Sequence, residues 1–98
     1  MDPSGREADN PDPGPSFGRR LRRARMACRL SQIQLAQRMR DIAVDHGGTA
    51  TRAALKVMIS KWENEVKAPN EYNRRLLAAA LGVTVADLGL PEDPDYIW

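Results

Sequence analysis

Residues 58–70, "MISKWENEVKAPN", place one large aromatic side chain among serine, lysine, glutamate and asparagine. If this segment and the residues before it form a helix, one face is apolar, with steps of four, three and four between its members: Leu55, Ile59, Trp62 and Val66. The opposite face carries mostly polar and cationic side chains: Lys56, Val57, Ser60, Lys61 and Asn64. We therefore predict an amphipathic helix that is anchored in a core by Trp62 and presents hydrogen-bond donors and cations to a partner.

Capping residues and apolar periodicity predict four more helices around this one. The expected N-caps, in chain order, are Ser16, Ser31, Thr49 or Thr51, Asn70 and Thr84. The second helix runs to about His46, where two glycines provide a stop, and Gly82 ends the fourth. Asp87 completes a capping box with Thr84 for a short fifth helix near 85–88. No alternating stretch argues for a strand, so the chain is predicted to be all-α, with five helices in one compact domain.

Charge divides the chain into three segments. Residues 1–16 hold four prolines, no sizeable apolar side chain and a net charge of −3, which predicts a disordered acidic N-terminal tail. Residues 91–98, "PEDPDYIW", form an acidic and aromatic C-terminal tail, also with a net charge of −3. Residues 17–90 carry a net charge of +8, with six arginines between positions 19 and 29. This predicted domain attracts a polyanion, nucleic acid ahead of an acidic lipid surface, unless its cations form only a solvated helix face.

Several classes of protein are disfavoured by what the sequence lacks. There is no apolar run of the roughly 18–20 residues that a membrane helix needs, and no secretory signal pattern. The single Cys28 cannot form an internal disulfide, so we predict a cytoplasmic protein. The carboxylates form no set with a nucleophile and a base, and the lone His46 has no metal-ligating partners. We therefore expect no enzyme activity, no metal and no cofactor.

Two stretches resemble a known family. "RRARMACRLSQIQLAQRM" (22–39) and "ISKWENEVKAPNEYNRRLLAAALGVTVADL" (59–88) are similar to the two halves of the Cro/phage-repressor type helix-turn-helix domain, also called the xenobiotic-response-element family. The resemblance covers about residues 17–90. It implies a bacterial or phage-type transcriptional regulator, a repressor, that binds double-stranded DNA as a homodimer at the bacterial nucleoid. The second helix would lie across the DNA backbone and the third would enter the major groove.

The resemblance also assigns roles to individual residues. It implies that Gln32 contacts a phosphate or an edge base and that Ser31 caps the second helix beside a phosphate. On the third helix it implies four side chains that face base edges: Lys56, Val57, Met58 and Lys61. Asn64 and Lys67 would approach the DNA backbone, and the polar face adds Ser60 to the DNA-binding set. The structural residues that it implies are an Arg25–Glu63 bridge and seven core positions: Leu35, Ala36, Ile59, Trp62, Leu77, Leu81 and Val83.

Two features depart from the family pattern. Met39 and Ile59 lie 20 positions apart, against about seven in the family, so the connection either lengthens both helices or forms a loop. Longer helices are favoured because Ile42 continues the apolar stripe; Thr49, Thr51 or Arg52 would then be the first contacts with DNA. Glu65 stands where the family has glycine, so either Asn64 adopts a left-handed conformation or the third helix continues.

Alternatives remain open for function and for the C-terminus. The fold could instead serve as an antitoxin-like adaptor whose basic helices bind another regulatory protein, with DNA binding secondary. A third hypothesis is a nucleic-acid binder without sequence preference. The "DPDYIW" tail either docks on the domain, enters a dimer interface or begins a longer protein.

Overall fold

Four α-helices make up the described part of the chain. The computed structural model describes residues 16–96. The helices are α1 (Phe17–Ala27), α2 (Gln32–Ala43), α3 (Arg52–Glu63) and α4 (Glu71–Leu81), with 3₁₀ turns at Val44–His46 and Ala86–Leu88. No strand occurs in residues 16–96, so the all-α prediction is confirmed there. The predicted fifth helix is only the second 3₁₀ turn. None of the helices in this part of the chain is long and apolar enough to cross a membrane.

Short polar side chains fix the starts of α2, α3 and α4. The Ser31 hydroxyl accepts from the backbone N–H of Gln34 at 3.1 Å, and the Gln34 side chain accepts from the N–H of Ser31 at 2.8 Å. The N-cap of α3 is Thr51, whose hydroxyl accepts from an N–H of the first turn at 3.2 Å. Asn70 caps α4 in the same way at 2.9 Å. Each cap satisfies an amide that a helix start leaves without a partner.

The start of α1 and the end of α3 are tied to each other. Ser16 occupies the N-cap position of α1 but makes no capping bond to it, contrary to prediction; its hydroxyl bonds the carboxylate of Glu65 instead. Glu65 itself adopts the left-handed conformation, with φ 59°, while Asn64 has φ −92°. Both predictions for this turn were therefore wrong, because α3 ends with the N–H groups of Glu65 and Val66 bonded to the carbonyls of Trp62 and Lys61, at 3.1 and 2.8 Å, which places Glu65 at the left-handed position. The chain reverses here, which leaves Val66 67% exposed rather than on the apolar stripe.

The core lies between α2, α3 and α4, with α1 packed against α3 and the second 3₁₀ turn. Its largest fully buried side chains are Leu21, Leu35, Met39, Leu55, Ile59, Leu76, Leu77, Val85 and Leu88. Trp62 is only 3% exposed, as its position on the stripe predicted. Of the other expected core positions, Val83 is half-buried against this cluster and the rest are buried. Each fully buried large aliphatic side chain contributes about 1.5–3 kcal/mol, which makes this cluster the main stabilising element.

Helical structure extends toward the Gly47–Gly48 turn from both α2 and α3. Each has 12 residues, and the first 3₁₀ turn extends α2 further. A short loop, residues 47–51, then leads to α3, so helical structure reaches His46 as predicted and only a short loop remains. The hydroxyl of Tyr72 on α4 lies 2.7 Å from the carbonyl oxygen of Gly48 and 3.2 Å from that of His46. Tyr72 therefore fastens the inserted connection to α4.

The C-terminal segment 91–96 packs against α4 through Arg75. The guanidinium donates to the Glu92 carboxylate at 3.1 Å and to the Asp93 carbonyl at 2.7 Å, and lies 5.5 Å from the centre of the Tyr96 ring. Of the three alternatives for the C-terminal tail, docking on the domain is therefore the one observed, as far as Tyr96. Residues 97–98, and the N-terminal tail up to residue 15, lie outside the described part of the chain.

Candidate nucleic-acid interface

A buried ion pair joins α1 to the C-terminal end of α3. Glu63 accepts from Nε of Arg25 at 2.6 Å and from a terminal guanidinium nitrogen at 3.0 Å. The two side chains are 12% and 5% exposed. The remaining terminal nitrogen of Arg25 donates to the Leu30 carbonyl at 2.9 Å. Two parallel hydrogen bonds of this kind fix the orientation of the two side chains as well as adding energy, so the pair orients the end of α3 relative to α1.

Gln32 adds α2 to the same cluster. Its side-chain amide donates to Glu63 at 3.1 Å, and Gln32 is half-buried. The carboxylate of Glu63, on α3, thus accepts hydrogen bonds from both α1 and α2. Because Glu63 is the only acidic residue of α3, this arrangement leaves the outward face of α3 without a carboxylate.

The outward face of α3 lies opposite its buried stripe of Leu55, Ile59 and Trp62. The predicted contact residues that are exposed on this helix are Arg52, Lys56, Val57 and Lys61. Val57 is 53% exposed. Ala53 and Ala54, which the sequence reasoning did not single out, are also exposed in the first turn. The face therefore combines Lys56 and Lys61 with small apolar side chains, and Arg52 is exposed at the start of the helix, whose first turn is free of acidic residues.

Three of the predicted contact residues bond the protein itself. Ser31 belongs to the capping box of α2, and Gln32 bonds Glu63. The amide of Asn64, just beyond α3, donates to the backbone carbonyl of Ser60 at 2.9 Å, and Ser60 is half-buried. These side chains shape the ends of α2 and α3, and any DNA contact through them requires that they share or exchange these bonds.

A groove between α3 and α4 gathers the remaining residues. Met58 is half-buried and packs against the core, so it lines this groove rather than the outward face. Lys61, Trp62 and Lys67 also line the groove. Asn73, at 8% exposure, also lines it, and its side-chain oxygen has no hydrogen-bond partner among the described residues. Lys67 therefore adds a cation next to Lys61, at the edge of the outward face.

Two determinants of this geometry were missed from the sequence. Gln34 completes the capping box of α2, and its spacing of three residues from Ser31 was a visible signal. Glu65 ties the end of α3 to Ser16, 49 positions away, and no local pattern could reveal that contact.

Comparisons with known proteins give no relative for this chain. No family model matches it, and neither the curated proteins nor the solved structures that were searched gave a match.

Proposed function

We propose that this protein binds duplex DNA in a sequence-dependent manner, with α3 in the major groove, as a transcriptional regulator similar to the Cro/phage-repressor type. One observation carries the proposal. The outward face of α3 exposes Lys56 and Lys61, with Arg52 exposed at the start of the helix, while its only carboxylate, Glu63, is bonded by Arg25 on the inner side. A helix of this kind fits the major groove of B-DNA, which is about 12 Å wide.

The side chains on this face suit base edges. Arg52, in the first turn, has the planar fork that bonds both acceptors of a guanine, an interaction worth about 1–3 kcal/mol of discrimination. Lys56 and Lys61 offer single-point donors to the same acceptors and contribute less each. Val57 can pack on a thymine methyl group. The face is therefore suited to a short site that contains both guanine and thymine.

Backbone contacts would come from the flanking elements. The N-terminus of α2, capped by Ser31, presents amides to a phosphate, and Lys67 supplies a cation next to α3. The net charge of +8 over residues 17–90 favours association with any polyanion. From the family resemblance we infer a homodimer at a two-fold symmetric site, and repression by occupancy of a promoter.

The test separates sequence recognition from general attraction. Affinities of Lys56→Ala and Lys61→Ala would be measured by fluorescence anisotropy on a panel of duplexes of different sequence. Arg40→Ala is the charge-matched control, because Arg40 is exposed on α2 and lies outside the predicted set. We expect the two lysine variants to change the order of preference among the duplexes, and Arg40→Ala to lower all affinities by a similar factor.

Two outcomes would contradict the proposal. An even loss of affinity in the lysine variants would indicate a nucleic-acid binder without sequence preference. Folded protein that binds none of the duplexes would favour the adaptor hypothesis, in which the basic helices bind another protein.

A further inference from the structure

The outward face of α1 carries a row of cations that the proposed DNA contacts do not use. One face of α1, which we term the arginine ridge, consists of Arg19 and the residues three, four and seven positions after it: Arg22, Arg23 and Met26. All four are exposed, Met26 by 60%. None of the three arginines forms a hydrogen bond or an ion pair with another described residue.

This ridge is unfavourable for an isolated helix. α1 contains five arginines and no acidic residue. Like charges three or four positions apart destabilise a helix by about 0.2–0.5 kcal/mol per pair, and cations in the first turn oppose the helix dipole. An anionic partner on the ridge would remove both effects.

Three arginines outside the ridge, Arg25, Arg74 and Arg75, form ion pairs with carboxylates. Arg25 is paired with Glu63, and Arg75 with Glu92 and Glu71. The acidic C-terminal segment is thus already engaged on α4. Unlike these three arginines, the ridge arginines form no ion pair with a carboxylate of the described residues, so an anion from outside residues 16–96 can bind them without displacing an internal partner.

The sequence directly before α1 supplies anions of matching number. Residues 1–15 contain four acidic side chains, Asp2, Glu7, Asp9 and Asp12, against one arginine. They join α1 at Ser16, and 15 residues can span up to about 50 Å, whereas the ridge is only about 10 Å long. A tether this short gives an effective concentration in the millimolar range, so even weak charge pairing would be populated.

We propose that the acidic N-terminal segment, residues 1–15, binds the arginine ridge of α1 in the same chain. If the proposed DNA-binding function holds, the segment also competes with DNA phosphates for the ridge. It would weaken contacts that are independent of sequence while leaving the outward face of α3 free. The segment would therefore increase sequence discrimination without touching a base.

The first test needs no DNA. The arginine Nε–H signals of the full chain would be recorded by NMR at about 20 mM and about 300 mM salt. In the variant Glu7→Gln/Asp9→Asn/Asp12→Asn we expect the signals of Arg19, Arg22 and Arg23 at low salt to move toward their high-salt positions. The matched control is Asp41→Asn/Asp45→Asn/Asp95→Asn, which removes three exposed carboxylates elsewhere and should leave these signals unchanged. Identical ridge signals in the wild type and the tail variant would overturn the proposal.

The second test measures competition. Neutralising the tail should raise the affinity for random-sequence duplex at about 50 mM salt by about three- to tenfold, since up to three phosphate contacts become available. That gain should vanish when Arg19, Arg22 and Arg23 are replaced by glutamine. If duplex DNA shifts the ridge signals and the tail substitutions do not, the ridge is a phosphate-binding surface and the proposal fails. If no variant binds DNA but the tail substitutions shift the ridge signals, the intramolecular contact stands and only the DNA-binding function fails.

Discussion

Arg25 and Glu63, 38 positions apart in sequence, form a two-bonded ion pair of 2.6 and 3.0 Å beneath the end of α3. Gln32 bonds the same carboxylate, so three helices meet at one acidic side chain. This arrangement both positions α3 and removes a negative charge from the surface proposed to face DNA.

Removal of Glu63 should therefore destabilise the fold strongly. In Glu63→Ala, Arg25 keeps its charge at 12% exposure but loses its partner, and we expect the free energy of unfolding to fall by about 3 kcal/mol. Urea denaturation measures the loss. Asp41→Ala, which removes an exposed carboxylate from α2, should change stability by less than about 0.5 kcal/mol. Equal effects of the two substitutions would show that the pair behaves as a surface ion pair.

Gly18 is required by the close approach of α1 to the end of α3. A Cβ at this position would overlap the backbone carbonyl oxygen of Glu63, which cannot move without displacing α3. We expect Gly18→Ala to destabilise the protein by about 2–3 kcal/mol. Gly47→Ala is the comparison, because no atom lies within 4 Å of its Cβ and only its φ of 97° is strained. A thermal melt in which Gly47→Ala is the less stable variant would contradict this packing.

The hydroxyl of Tyr72 should control the order of the inserted connection. Tyr72→Phe keeps the ring against the core but removes the bond to the Gly48 carbonyl, and the expected loss of stability is about 1 kcal/mol. The effect should be local. Hydrogen exchange should become faster at residues 47–51 and remain unchanged at Leu35 in α2; unchanged exchange in the loop would show that other contacts hold it.

Asp87 should make stability depend on acidic pH. The backbone N–H of Thr84, and then its hydroxyl, lower the pKa of Asp87 below its ordinary value of 3.8. Because the folded-state pKa is the lower one, the ionised carboxylate contributes stability above the ordinary value and loses it as pH falls through the folded value. We expect the difference in unfolding free energy between wild type and Asp87→Asn to be constant near neutral pH and to shrink below 3.8. Asp45→Asn controls for the change in net charge. A difference that does not vary with pH would show that the Thr84 bonds do not favour the ionised form.

Much of the fold was predictable because local rules governed it. The caps at Ser31, Thr51 and Asn70 follow from short polar side chains before apolar periodicity, and the burial of Trp62 follows from its place on the stripe. The reciprocal bonds of Thr84 and Asp87 were likewise visible as a capping box. The capping box was expected to begin an α-helix. Only one 3₁₀ turn follows it, and Gly89, with φ 77°, ends that turn.

One error occurred where a distant contact overrides local preference, and the others lie at the end of α3 and in the groove beside it. Ser16 was expected to cap α1, but Glu65 competes for its hydroxyl. Glu65 rather than Asn64 takes the left-handed conformation, because α3 ends with the Val66 N–H bonded to the Lys61 carbonyl at 2.8 Å. In the candidate site, the sequence identified the cations of α3 but could not show that Met58 lines a groove or that Asn64 bonds its own helix. These positions depend on how α4 and the turn after α3 pack, which periodicity does not encode.

The most direct test of the central claim is selection of bound sequences from a pool of random duplexes. At about 150 mM salt, attraction between separated charges is screened beyond about 8 Å, so enrichment reports contacts rather than net charge. We predict enrichment of an inverted repeat that the Lys56→Ala and Lys61→Ala variants no longer select. If the duplexes bound by folded protein show no enrichment over the random pool, the claim that the outward face of α3 recognises DNA is contradicted.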